Sequence, residues 1–147
     1  MISESDLNSL TRWAKIREEI FKVNLAKSAA ITSVNGVNSK ALLDGQYKTN
    51  WTTKRKDTTA VIELVWKTAQ TFDVLSLQEN ITIGQRVEKF IFEYWDGTKW
   101  EKATEGTTIG YKRLIKFKPV TTQKARLKIE QSRLNPTISE LGLFKQH

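Results

Sequence analysis

The side chains that most often carry covalent catalysis are scarce in this sequence. It has no cysteine, and its single histidine is His147. Thiolate nucleophiles, disulfides and thiolate metal sites are therefore excluded, and the histidine count argues against Ser-His-Asp triads and multi-histidine metal centres. An enzyme built on this chain would have to use carboxylates, lysine or tyrosine. Its 24 Lys and Arg against 16 Asp and Glu leave a net charge of +8. A basic balance suits nucleic acid, anionic lipid or acidic glycan. Here the cations are scattered, and the densest run, Lys54-Arg55-Lys56, is followed by Asp57. That pattern reads as a solvated surface. With no basic helix, no aromatic RNA-binding segment and no zinc spacing, nucleic acid ranks last among the partners.

A chain of 147 residues makes one domain. No run approaches the ~18 apolar residues of a membrane span. Met1-Ile2-Ser3-Glu4 lacks the basic start and apolar run of a signal peptide. Leu7, Leu10, Trp13, Ile16 and Ile20 recur at spacings of three and four, which predicts one amphipathic helix over the first twenty residues. Ser3 and Asp6 suit its N-terminal cap, and it is expected to end by Val23-Asn24. An exposed apolar stripe needs a surface, so the helix either packs on the rest of the chain or belongs to something upstream.

From Ala29 onward the period falls to two. Ile62, Leu64 and Trp66 alternate with Val61, Glu63 and Val65; Phe90, Phe92 and Tyr94 with Lys89, Ile91 and Glu93; Ala125, Leu127 and Ile129 with Arg126, Lys128 and Glu130. Two further alternating sets centre on Phe72-Val74 and Tyr111–Phe117. Breaks are expected at Gly45, Lys67-Thr68, Gly84, Gly106, Gly110, Pro119 and Pro136, and Asp96-Gly97 between Trp95 and Trp100 signals a hairpin. The expectation is an all-β, antiparallel jelly-roll β-sandwich over 27–147, preceded by one N-terminal α-helix and linker over 1–26.

Several segments resemble a known family. Ala41-Leu42-Leu43-Asp44-Gly45 with Thr49 and Trp51, the stretch from Val87 through Phe90-Ile91-Phe92-Glu93 to Asp96-Gly97-Thr98-Lys99-Trp100, and Ile138-Ser139-Glu140-Leu141-Gly142-Leu143 resemble coagulation factor 5/8 type C (discoidin) domains and family 32 carbohydrate-binding modules. Within that likeness, the run from Leu77-Gln78-Glu79-Asn80 to Gly84-Gln85-Arg86-Val87, and Gly106-Thr107-Thr108-Ile109-Gly110-Tyr111-Lys112-Arg113, resemble the C-terminal domain of glycoside hydrolase family 29 α-L-fucosidases. The resemblance implies a non-catalytic accessory domain. The two carboxylates that cleave a glycoside belong in that family to a (β/α)₈ barrel of ~250 residues, for which this chain has no room.

The same resemblance implies sites. A structural Ca²⁺ would take Asp44, Thr49 and Glu140 as oxygen ligands, whereas the residues alone allow Asp44 simply to bond loop amides. A galactose- or fucose-containing glycan would meet Lys54, Arg55, Gln78, Glu79, Asn80, Arg133 and Asn135. This is a polar set without its aromatic platform, since Leu134 stands where a ring would serve. Trp51, Trp66, Trp95 and Trp100 read as core or hairpin residues. Arg86, Tyr111 and Arg113 are candidates for contact with a catalytic barrel, or Arg86 and Arg113 for internal pairing with Glu79 and Glu88. A purely structural domain with no ligand is the alternative, and a polyanion-binding module a more distant one. The family also implies a location outside the cytoplasm, with any export signal N-terminal to this sequence.

Overall fold

The computed structural model describes residues 23–33, 35–37, 39–43, 50–54, 57–80 and 85–146. The helix expected over the first twenty residues lies outside them. Eight strands follow in order: β1 Ala30–Ser33, β2 Gly36–Val37, β3 Trp51–Thr53, β4 Ala60–Glu79, β5 Val87–Trp95, β6 Trp100–Gly106, β7 Arg113–Ser132 and β8 Thr137–Phe144. The helices among the described residues are two short 3₁₀ turns, Leu25–Ser28 and Ser39–Leu43. Every strand pair is antiparallel.

Two strands of twenty residues, β4 and β7, create the sandwich by running through both of its sheets. Residues 60–65 of β4 lie between β1 and residues 124–129 of β7, and β5 and β6 extend this sheet. Residues 74–79 of β4 lie between residues 113–116 of β7 and β8, beyond which come β3 and β2. The ladder slips between Val65 and Gln70, and again between Phe72 and Val74. Such irregularities bend a strand from one layer into the next. For this reason the breaks expected at Lys67-Thr68 and Pro119 do not end strands. Lys67, Thr68 and Ala69 are exposed within continuous β4. Pro119 sits in β7 between Lys116, paired with Val74, and Val120, paired with Phe72. A proline without an N–H is tolerated where the ladder is already interrupted.

Most of the alternating sets meet in one core, but Tyr111 of the Tyr111–Phe117 set is exposed, and the slip between Phe72 and Val74 brings Leu75 and Leu77 inward out of phase with Phe72. Ile62, Leu64, Phe72, Leu75, Leu77, Phe90, Phe92 and Leu127 are fully buried within it. Each such side chain contributes about 1.5–3 kcal/mol by leaving water. Phe72 joins the layers, with Trp66, Phe92 and Phe117 at centroid distances of 5.6, 6.1 and 6.2 Å. The segment ahead of β1 is integrated too. Ala26 is buried in the core, and Leu25 O accepts from Trp66 Nε1 at 2.9 Å. The Asn24 side chain donates to Leu141 O and accepts from Leu143 N, so it bonds β8 as a strand would. Gly36 is required by close approach: a Cβ there would stand 2.0 Å from Ser33 Oγ and 2.1 Å from Trp51 Nε1, which hydrogen-bond each other.

This topology gives the sandwich two distinct ends. One gathers the finish of β4, the starts of β5, β7 and β8, and the finish of β3. The other carries the β5–β6 hairpin. Eight residue steps along β5 separate them, roughly 26 Å at the usual strand rise.

Candidate functional site

At the loop end the central group is Glu79, the last residue of β4 and fully buried. Its Oε2 accepts from the backbone N–H of Arg86 at 2.8 Å and of Val87 at 3.4 Å. Its Oε1 accepts from Gly110 N at 3.2 Å, and its own N–H donates to Gly110 O at 3.1 Å. Gly110 has φ of +69°, a left-handed conformation that a residue with a Cβ adopts at a cost. A buried carboxylate that collects three amides ties three separate segments together.

Arg86 continues the network. Its Nη1 donates to Asn135 O at 3.0 Å and Asn135 Oδ1 at 3.1 Å, and its carbonyl accepts from Arg133 N and Ser132 Oγ. Asn135 Nδ2 donates to Thr52 Oγ1, which donates to Pro136 O. Arg113 donates to Thr108 O and lies 5.7 Å from the Phe90 ring centroid. Glu79 is therefore held by backbone amides rather than by an arginine side chain, and among the described residues neither arginine forms an ion pair with Glu79 or Glu88.

The remaining candidates fall around this network. Lys54 is exposed and anchored by its backbone to Asn35. Gln78 and Asn80 are half-buried, with Gln78 O accepting from Ser139 Oγ and Asn80 N donating to Thr137 O. The Arg133 side chain is exposed, and Tyr111 is 55% exposed. Arg55 lies outside the described residues, as do Asp44 and Thr49 of the expected calcium set. Glu140 is half-buried on β8 opposite Gln78. Among the described residues no three acidic or histidine side chains converge as metal ligands. The structure thus brings Glu79, Arg86 and Asn135 into one internally bonded unit, with Lys54, Tyr111 and Arg133 at its surface.

The hairpin end has a different chemistry. Trp95 and Trp100 face each other across β5 and β6, edge to face at 5.6 Å, and both are half-buried. Residues 124, 126 and 128 of β7 share the sheet's outer face. Lys124 Nζ lies 4.9 Å from the Trp95 centroid and 5.7 Å from that of Trp100, and Arg126 Cζ lies 4.1 Å from Trp100. Arg126 Nε donates to Glu93 Oε1 at 2.7 Å. The turn is set by Asp96, whose Oδ1 accepts from Lys99 N, Thr98 N and Thr98 Oγ1, while Gly97 takes φ of +107°. These bonds, first that of the Lys99 amide and then that of Thr98, hold the Asp96 carboxyl below its ordinary value. The Lys99 ammonium is raised, chiefly by its bond to Glu101.

Sequence reasoning placed the tryptophans on a hairpin but assigned no role to Lys124, Arg126 or Glu93. The available signal was Trp95-Asp96-Gly97 closing on Trp100, combined with cations at every second position from 124 to 128. What it lacked was the register that lays β7 beside β5.

The F5/8 type C domain profile matches residues 21–141, and the chain belongs to that family. A rice protein described as a putative α-L-fucosidase 1 is 35% identical over 98% of this chain and 29% of its own length. The crystal structure of a putative α-L-fucosidase from Bacteroides thetaiotaomicron superposes with a TM-score of 0.93, at 27% identity over 99% of this chain and 34% of that one. Two family 32 carbohydrate-binding modules of Clostridium perfringens ZmpB share the fold, with a TM-score of 0.70 at 16% identity over 82% of this chain and 35% of that one. The chain is thus a discoidin-type sandwich homologous to part of the family 29 α-L-fucosidases. It spans about a third of the length of those relatives, which accords with a non-catalytic part.

Proposed function

We propose that this chain is a non-catalytic accessory domain that works beside a fucosidase-type catalytic domain, supporting it at the loop end and binding glycan. The observation that carries the reading is the near-complete match of this chain to only about a third of each fucosidase relative. Support at the loop end draws on what is exposed there. Val37, Tyr111 and Leu134 are 47%, 55% and 58% exposed, beside the Lys54 and Arg133 side chains, over the network built on Glu79 and Arg86. Large apolar groups rimmed by cations suit a protein partner better than a sugar hydroxyl.

The test has two arms. The purified chain releases no p-nitrophenol from p-nitrophenyl α-L-fucoside; turnover by the chain itself would overturn the reading. Mixed with the catalytic domain of a related fucosidase, it forms a complex in sedimentation analysis that Tyr111→Asp with Leu134→Asp abolishes. No complex, or one indifferent to both changes, would remove the loop end from that role.

A further inference from the structure

Most cations around the tip of the β5–β6 hairpin have a carboxylate partner. Lys99 has Glu101 at 3.1 Å, Lys102 has Glu105 at 3.1 Å, Arg126 has Glu93 at 2.7 Å and Lys128 has Glu130 at 3.5 Å. Lys124 is half-buried in the midst of these pairs and meets no carboxylate among the described residues. It lies instead against the faces of Trp95 and Trp100. Lys124 and Arg126 therefore bring an ammonium and a guanidinium to the same Trp100 ring, at 5.7 and 4.1 Å from its centroid.

From this arrangement we infer that the hairpin face is a binding site for an acidic pyranose, a glycan residue bearing a carboxylate. The inference rests on the glycan-binding half of the proposed function and assigns it a place. Three features select that ligand. A carboxylate supplies the partner that Lys124 lacks, and the guanidinium edges not used by Glu93 extend the same anion site. Trp95 and Trp100 offer the uncovered part of their half-buried rings to the C–H faces of a sugar. Glu93 and Glu101, on the neighbouring strands, are acceptors for its hydroxyls. The other cations of the hairpin, Lys99, Lys102, Arg126 and Lys128, already have carboxylate partners, so the site does not extend along a polyanionic backbone. The Trp pair is fixed from behind, because Trp95 O accepts from Thr122 Oγ1 at 2.6 Å. The platform is thus organised before any ligand arrives, which limits the entropy lost on binding.

The experiment is a glycan array carrying uronic acid, sialic acid and neutral glycans, probed with the intact chain, Lys124→Met, Trp100→Ala and Arg133→Ala, each checked for folding by its melting curve. Acidic glycans bind the intact chain and Arg133→Ala alike. Binding falls at least tenfold in Lys124→Met and Trp100→Ala, and methyl esterification of the uronic acid has the same effect. Acidic-glycan binding that survives both hairpin changes would overturn the inference. So would binding of neutral glycans alone, or a single-stranded oligonucleotide held as tightly as the glycans. Neutral glycans lost in Arg133→Ala would leave the glycan-binding reading standing with its site at the loop end. A blank array would remove both.

Discussion

The two ends of this sandwich use similar residue types to opposite effect. At the loop end Glu79, Arg86 and Asn135 face inward and bond to backbone amides, backbone carbonyls and one another. At the hairpin end Glu93, Lys124 and Arg126 stand on an outer sheet face beside half-buried rings. Polar side chains of the first kind hold a structure together, because most of their hydrogen bonds go to other parts of it, although Arg86 Nε is buried without a partner. In the second kind one cation, Lys124, rests on the rings and has no carboxylate partner among the described residues, which leaves it free to meet a ligand. The number of polar residues at a site is thus a poorer guide to binding than where their bonds already go.

Glu79→Ala should separate the two ends most sharply. It leaves the amides of Arg86, Val87 and Gly110 without their acceptor, at a cost of about 3 kcal/mol or more. Thermal unfolding should show a fall of roughly 10 °C. A loss below about 1 kcal/mol would mean that the carboxylate is not the tie described. Asn135→Ala removes one acceptor of Arg86 and the donor to Thr52, and should lower unfolding free energy in urea by about 1–2 kcal/mol. Combined with Arg86→Lys, it should cost less than the sum of the two single changes, because the pair acts as a unit.

Trp100→Ala should cost about 2 kcal/mol of stability, from the part of the ring that is buried together with one edge-to-face pair and its cation contacts, which is less than Glu79→Ala. A cost equal to that of Glu79→Ala would make the hairpin a structural joint and erase the contrast. The smallest effect concerns Asp96. Its carboxyl is held below the ordinary value by the amides of Lys99 and Thr98, so its contribution is present above the unfolded value. That contribution is lost as pH falls through the lowered folded value. Tryptophan fluorescence should report loosening of the hairpin in acid, and Asp96→Asn should remove that step.

Much of the fold was legible because burial on one face writes itself into the sequence with period two. Phe90 and Phe92, or Leu127 and Ile129, announce both their strands and their inward faces. The single strands β4 and β7 were not legible, since Lys67-Thr68 and Pro119 look like breaks until the opposing irregularities that absorb them are seen. At the candidate site, the sequence singled out Glu79, Arg86 and Asn135 through family resemblance, but the partners of Glu79 are backbone amides, and the pairing of Arg86 with Asn135 and of Asn135 with Thr52 depends on long-range placement that no residue type reveals. Lys124 and Arg126 looked like ordinary solvated strand residues. Their approach to Trp100 depends on long-range register between β5, β6 and β7, which local pattern does not encode.

The division between the ends can be read directly from nuclear magnetic resonance spectra during titration with a uronic acid oligosaccharide. Indole N–H signals serve as separate reporters. Trp51 donates to Ser33 and Trp66 to Leu25 inside the fold, whereas Trp95 and Trp100 sit at the hairpin. The account predicts that the Trp95 and Trp100 indole signals and the amides of 93–101 and 124–126 shift together, while the Trp51 and Trp66 indoles and the amides of Arg86, Val87 and Gly110 stay in place. Shifts confined to the loop-end amides, with the hairpin indoles unmoved, would contradict it.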